Sequence, residues 1–235
     1  MQEKKIDELR RSYPEVDRAY WFAIRAHRGQ KRKDGVTPYI QHPIEVAELV
    51  SGMSNAGSVI VAALLHDVVE DTSFKLNDIA RMFGIYVADL VGDETENKRK
   101  DKPASDTWRL RKEEAIEKIA GAGKEAKMIS LADKLSNLRS MWKDYQVIGD
   151  DIWVRFNQKD KREQGWYYRS MRDQYIGLKA TDAWKEYAQL IENLFGPDRV
   201  GALAAKEEIA ASCRQCNGSQ NQVLMAEKVA VTVEN

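Results

Sequence analysis

The segment His66-Asp67-Val68-Val69-Glu70-Asp71 sets one imidazole and three carboxylates directly behind the apolar run Val59-Ile60-Val61-Ala62-Ala63-Leu64-Leu65. On a helix, His66 and Glu70 lie one turn apart, and so do Asp67 and Asp71. Burying charge at that density is costly unless a cation or a tight hydrogen-bond network compensates. A divalent metal compensates and also turns water into a nucleophile. Glu70 can then take the water's proton or orient the water, and Asp71 can hold Glu70 or the water in place. The two carboxylates read as one coupled catalytic pair.

A mononuclear site of this kind wants mixed nitrogen and oxygen ligands. His42, His66 and Asp67 offer three, and a fourth must come from further along. Asp133, in Ile129-Ser130-Leu131-Ala132-Asp133-Lys134-Leu135-Ser136-Asn137, follows an apolar run just as His66 does. Asn137 lies one helical turn after Asp133 and shares its face. His42 precedes Pro43 at a helix entrance, where a histidine on its own is usually solvated. It counts as a ligand only through the resemblance given below. His27, in Ala26-His27-Arg28-Gly29-Gln30, is expected to hold a helix end to the loop that follows.

The elements that must position these groups read as helices almost throughout. Pro14 opens a helix over residues 14–28. Gly29 and the basic stretch Gln30-Lys31-Arg32-Lys33-Asp34-Gly35 form a loop, and Pro43 begins a second helix. A third spans 58–70. Gly84 separates short helices at 76–83 and 87–95, and residues 98–107 read as an exposed loop. Further helices are expected at 109–120, 125–143 and 159–194. No alternating strand pattern or internal repeat is present, so the fold class is all-α. Phe195-Gly196-Pro197-Asp198 marks a break. Residues 1–196 are expected to form one domain, and 197–235 a weakly ordered tail whose composition buries little apolar surface. Residues 229–233 read as a frayed end rather than a strand.

Composition narrows the function. The chain has 235 residues and a formal net charge of +0, so the molecule as a whole is no electrostatic nucleic-acid binder. No apolar run is long enough to cross a bilayer, and the N-terminus lacks a signal-peptide stretch. The expected partner is a small molecule, with no nucleic acid and no membrane; a homo-oligomer stays open. The only two cysteines, Cys213 and Cys216, have Cys-x-x-Cys spacing but no second pair to complete a zinc site, and read as incidental. So few cysteines fit a reducing cytoplasm. Charge is locally uneven. Arg25, Arg28, Lys31, Arg32 and Lys33 crowd one segment. Lys98, Arg99, Lys100 and Lys102 crowd another, followed by Arg109, Arg111 and Lys112. Such clusters draw phosphate to a cleft. The aromatics of Trp153-Val154-Arg155-Phe156-Asn157 and Trp166-Tyr167-Tyr168 have helical spacing and are assigned to packing.

Four ordered segments carry a family resemblance: His27-Arg28-Gly29-Gln30-Lys31-Arg32-Lys33, Pro38-Tyr39-Ile40-Gln41-His42-Pro43, Ala62-Ala63-Leu64-Leu65-His66-Asp67-Val68-Val69-Glu70-Asp71-Thr72, and Leu131-Ala132-Asp133-Lys134-Leu135-Ser136-Asn137-Leu138-Arg139. Together they resemble the (p)ppGpp hydrolase domain of the RelA/SpoT family, among the HD-domain metal-dependent phosphohydrolases, over roughly residues 15–195. The resemblance implies an HD-type helical bundle and a small, single-domain alarmone hydrolase, since a synthetase domain would need a comparable further length. It implies that His42, His66, Asp67 and Asp133 hold one metal, typically Mn²⁺, with Glu70 and Asp71 as the catalytic pair. It implies that Arg32 stacks on the purine and that Lys33, Asn137 and Ser140 contact the nucleotide; Ser140 keeps the hydroxyl of the threonine common in relatives. Lys98 and Arg111, in segments similar to the family's, are the expected pyrophosphate contacts. The implied reaction is attack at the 3′-linked phosphorus of ppGpp or pppGpp, releasing pyrophosphate and leaving GDP or GTP. Two alternatives stand beside it: another nucleotide, such as ppApp or NADPH losing a phosphate, and a non-catalytic alarmone-binding regulator or toxin-neutralising partner.

Overall fold

A computed structural model describes residues 2–96, 99 and 101–197. The chain falls into two units: Met1–Phe195, and Gly196–Asn235, of which only Gly196 and Pro197 are described. The expectations for the tail and for Cys213 and Cys216 therefore lie outside the described residues, as does Lys98.

The helices run in the order α1 Gln2–Ser12, α2 Pro14–Ala26, α3 Gln41–Ser51, α4 Gly57–Leu65, α5 Val68–Asp71, α6 Leu76–Phe83, α7 Ile85–Glu94, α8 Trp108–Gly121, α9 Lys124–Ile148, α10 Lys161–Gln174 and α11 Asp182–Phe195. Two short 3-10 helices, Gly149–Arg155 and Ile176–Leu178, follow α9 and α10. No strand occurs among the described residues; Lys31 and Pro38 make one isolated bridge that pinches the basic loop shut.

The apolar run before His66 becomes the central helix. Val59 through Leu65 are each at most 1 % exposed, so α4 is buried on every side, as an all-round apolar helix must be. Helices α2, α3, α7 and α9 pack around it. The 25-residue α9 joins the two halves of the core. Its Ala126, Ile129 and Ala132 pack with the cluster around α4. Its Met128, Leu131, Leu135 and Leu138 pack with Tyr168, Tyr175, Tyr187 and Ile191 on the other side. Two glycines in the left-handed region make sharp joints that a side chain would strain: Gly84 (φ 94) between α6 and α7, and Gly149 (φ 58) at the end of α9.

Two expectations are corrected, and one helix is added. The helix read over 58–70 breaks at His66 and Asp67. The His66 Nδ1–H donates to the Ala63 carbonyl at 2.8 Å, the acceptor that the Asp67 N–H would use in a continuous helix. The stretch 159–194 is not one helix. It turns through Ile176–Leu178, and the Thr181 hydroxyl accepts the Trp184 N–H at 3.2 Å to start α11. Folding back lets Phe195 stack on Tyr168 at 5.8 Å between centroids. Finally, α1 was hidden by its charges. Ile6 is 2 % exposed and packs with the core, and the Glu48 carboxylate accepts the Ile6 N–H at 3.0 Å to dock α1 on α3.

Candidate metal centre and cleft

Helix α3 delivers His42 from its first turn, α4 delivers His66 from its C-terminal end, and α9 delivers Asp133 from its middle. One ligand atom from each of the three lies within 4.8 Å of the others. Asp67, released by the helix break, joins them. His42 Nε2 lies 2.9 Å from Asp133 Oδ1 and 3.5 Å from Asp67 Oδ2. His66 Nε2 lies 3.0 Å from Asp67 Oδ2 and 3.7 Å from Asp133 Oδ1. All four expected ligands converge.

The outer partners decide what these atoms can accept. His66 Nδ1 faces a carbonyl oxygen, which only accepts, so Nδ1 carries a proton. The Ser136 hydroxyl donates to Glu45 Oε2 at 2.7 Å, so it must accept from His42 Nδ1 at 2.8 Å. In the neutral rings both Nε2 atoms are then lone pairs, turned on two carboxylates. The His66 Nε2 is buried and has no hydrogen-bond partner, despite its short distance to Asp67. Four acceptors pointed at one spot need a positive charge there, and a divalent cation fits this donor set. The titration directions carry the same demand. Burial alone would lower the His66 pKa, but Asp67 and Asp133 drive it well above the ordinary value. Burial pushes His42 the other way, below its ordinary value. Burial would raise both aspartates, yet His66 holds Asp67 down and Lys134, with the two imidazoles, holds Asp133 down.

Each of the four expected ligands is braced. The Tyr39 hydroxyl donates to Asp67 Oδ2 at 2.5 Å, and Asn137 Nδ2 donates to Asp133 Oδ1 at 2.8 Å. Lys134 pairs with Asp133 Oδ2, and its Nζ lies 3.7 Å from Glu94. Burial raises the Glu94 pKa to about 7 against the pull of Lys134. Behind His42, Arg139 bridges Glu45 at 2.8 Å and Glu186 at 2.6 Å, so Ser136 and Glu45 have a fixed backing. Ser136→Ala is therefore expected to weaken divalent-metal affinity about 10–100-fold, the usual cost of losing an outer-shell partner. Calorimetric metal titration checks this; unchanged affinity would mean that the Ser136 contact does not orient His42.

Of the expected site residues, all but the undescribed Lys98 line a single cleft of about 430 Å³. Glu70 and Asp71 stand on α5, and the Glu70 Oε2 accepts the Glu96 N–H at 3.0 Å. Arg32 Nη2 donates to Asn137 Oδ1 at 3.0 Å. The Lys33 side chain is solvent-exposed, but its Nζ sits within the cleft, 4.0 Å from the Phe156 ring centroid. Desolvation there, with the charges of Arg32 and Lys112, lowers the Lys33 pKa to about 8. Arg111 and Lys112 hold Glu96 between them at 3.0 and 2.6 Å. His27 does tie the helix end to its loop: Nδ1 meets Gln30 at 2.8 Å, and Gln30 donates onward to the Asp71 carbonyl at 2.9 Å.

Sequence reasoning passed over Tyr39, Glu94, Glu96 and the Ser136, Glu45 and Arg139 relay. Glu94 had a signal, since it lies one turn beyond the buried Leu90 on the same helix face. The relay had none. The packing assignment of the aromatic segments holds for Trp153, Tyr167 and Tyr168, each at most 5 % exposed. Phe156, beyond the end of the 3-10 helix, lies half-buried in the cleft wall instead.

The HD domain family matches residues 19–159, a span that includes every cleft residue named from Arg32 to Phe156. Among curated proteins, the guanosine-3′,5′-bis(diphosphate) 3′-pyrophosphohydrolase MESH1 of Homo sapiens is 40 % identical over 136 residues, covering 54 % of this chain and 73 % of its own. The Drosophila melanogaster MESH1 is 42 % identical over 165 residues, covering 69 % and 83 %. A solved metazoan orthologue of SpoT, described as hydrolysing ppGpp, superposes with a TM-score of 0.63 at 28 % identity, over 78 % of this chain and 97 % of that one. A Listeria monocytogenes EGD-e crystal structure superposes with a TM-score of 0.58 at 34 % identity, over 68 % and 97 %. The likeness thus holds in sequence across most of the MESH1 chains and in helix arrangement across nearly all of the solved ones. On both counts the chain belongs to the HD-domain hydrolase family that contains these proteins.

Proposed function

We propose that this chain is a metal-dependent (p)ppGpp 3′-pyrophosphohydrolase that works with Mn²⁺. The observation that carries the reading is the set of four convergent acceptor atoms from His42, His66, Asp67 and Asp133 at the floor of a cation-lined cleft. It gains support from the printed function of the MESH1 relatives. His42, His66, Asp67 and Asp133 would hold the divalent cation, which would supply acidification of water and neutralisation of charge on a phosphoryl oxygen. Glu70 takes the proton of the attacking water, and Asp71 holds Glu70 in place. The water oxygen bonds to the 3′-linked phosphorus as the bond to the ribose O3′ breaks; O3′ takes a proton from solvent to restore the 3′-hydroxyl, and pyrophosphate departs. Arg32 offers its guanidinium plane to the purine. Lys33, Lys98 and Arg111 gather the phosphates, with Asn137 and Ser140 contacting the nucleotide. Lys112, half of the clamp on Glu96, adds to the positive field. We assign the activity to residues 1–196 and to the cytoplasm, the latter because a chain with two cysteines suits a reducing compartment.

The test is pyrophosphate release from ppGpp by the full chain with and without Mn²⁺, with ppApp and NADPH as comparison substrates. Metal-dependent release from ppGpp is expected; its absence would overturn the reading.

The cleft also predicts a pH effect on binding. Lys33 is cationic below about pH 8 and neutral above it. Affinity for a polyanion is thus full at pH 7 and is lost as pH rises through 8. KM for ppGpp is expected to climb about tenfold over that range, the scale of one charge-assisted bond to phosphate. Lys33→Gln is expected to show the higher KM already at pH 7 and no further rise. Parallel pH profiles of the two proteins would rule Lys33 out.

A further inference from the structure

One cleft carboxylate that the reaction above does not use, Asp144, stands at the end of the cleft away from the metal centre. Asp133, Asn137, Met141 and Asp144 recur along one face of α9, and all four line the cleft. At 1.5 Å per residue, Asp144 lies about 16 Å along the helix axis from Asp133. The other cleft carboxylates on the metal side have work to do. Asp67 and Asp133 meet the imidazoles, Glu70 and Asp71 stand beside them, and Glu94 and Glu96 are paired with Lys134, Arg111 and Lys112. Asp144 is different. Its Oδ2 receives a hydrogen bond from Arg155 Nη1 at 3.1 Å, and both side chains are more than a third open to solvent. Between Asn137 and this pair the cleft lining carries the apolar Met141, Ile152 and the half-buried ring of Phe156, with the Ser140 hydroxyl beside them and the Lys33 ammonium over the Phe156 ring. A largely apolar slot with a few polar groups, ending in an oriented carboxylate, is a place for a flat heterocycle whose edge carries donors.

We propose that Asp144 reads the base and makes this cleft selective for guanine. The inference rests on the preceding reading, in which the nucleotide lies with its 3′-diphosphate at the metal centre. A carboxylate is electrostatically adverse to a polyanion, so its position far from the metal suits a contact with the uncharged end of the substrate. The guanine Watson–Crick edge presents N1–H and N2–H side by side, and an ionised carboxylate accepts both. The adenine edge sets an N6–H donor beside the N1 lone pair. That lone pair would oppose a carboxylate oxygen, leaving acceptor against acceptor. Arg155 fixes the carboxylate and carries further N–H donors suited to guanine O6.

The experiment measures kcat/KM for ppGpp and ppApp with the full Mn²⁺-loaded chain, together with the calorimetric Kd of each. The readout is the ppGpp to ppApp ratio. The wild type is expected to favour ppGpp at least about tenfold. Asp144→Ala is expected to bring the ratio near one. Asp144→Asn, whose amide can pair with adenine N1 and N6–H as well as with guanine O6 and N1–H, is also expected to bring the ratio down toward one. A wild-type ratio near one, or variants that lower both substrates in proportion, would overturn the proposal while leaving the hydrolase reading intact. A wild type that turns over neither compound, yet binds ppGpp in Asp144-dependent preference to ppApp, would uphold the proposal and overturn the hydrolase reading.

Discussion

Asp133→Asn is expected to empty the metal centre and take turnover below detection. The substitution keeps the shape of the side chain and removes one negative charge from a cluster built to cancel a divalent cation. Asp133 is the most connected member of that cluster. Its Oδ1 faces His42 Nε2 at 2.9 Å and accepts from Asn137 Nδ2 at 2.8 Å, while its Oδ2 pairs with Lys134. Losing even an outer-shell partner costs metal sites 10–100-fold in affinity, so the loss here should be larger, well over about a hundredfold. Stability falls too, because Lys134 loses its nearest buried counter-charge and is left with weaker ones such as Glu94, 3.7 Å away. Breaking a buried pair outright costs about 3–5 kcal/mol, and the surviving carboxylate should keep the loss below that range. Metal content after dialysis, circular dichroism and ppGpp turnover separate these effects. A folded variant that retains stoichiometric metal and wild-type turnover would remove Asp133 from the ligand set.

What the sequence made legible was the chemistry that stands next to a burial signal. His66 and Asp133 could be picked because each follows an apolar run, and a charge there has to be compensated. The same logic found Asn137 one turn on. It could not find the break in the helix after Leu65, because that break is made by the His66 ring taking the Ala63 carbonyl, a contact invisible to periodicity. The break matters for the site, since it turns Asp67 toward His42 instead of leaving it on a regular helix face. His42 itself was legible only through resemblance. Its qualification as a ligand comes from Ser136 and Glu45, and Ser136 is 94 positions away along the chain. Long-range partners of this kind leave no mark on local spacing. Neither did the basic clusters reveal which cations were already engaged. Arg111 reads as free charge in sequence, yet Glu96 holds it at 3.0 Å, so its contribution to phosphate binding depends on the Glu96 pairing as well as on its own charge.

Glu70→Gln gives the sharpest separation between catalysis and metal binding. Glutamine can still accept the Glu96 N–H through its amide oxygen, so the local structure around Glu70 should survive. What it cannot do is take up a proton. If Glu70 receives the proton of the attacking water, kcat should fall about 10²–10⁴-fold, the usual contribution of a positioned general base. Metal content should be unchanged, because the substitution leaves His42, His66, Asp67 and Asp133, the four proposed ligands, intact. The Kd for ppGpp should hold or improve, since one negative charge has left the phosphate end of the cleft. Single-turnover rates at saturating Mn²⁺, with calorimetric binding of ppGpp to the same preparation, test all three expectations at once. Metal lost along with activity would make Glu70 a ligand. Unchanged kcat would pass the proton to Asp71, for which Asp71→Asn in parallel is the control: because the two carboxylates act as a coupled pair, only the variant that removes the true acceptor should flatten the acid limb of the pH–rate profile.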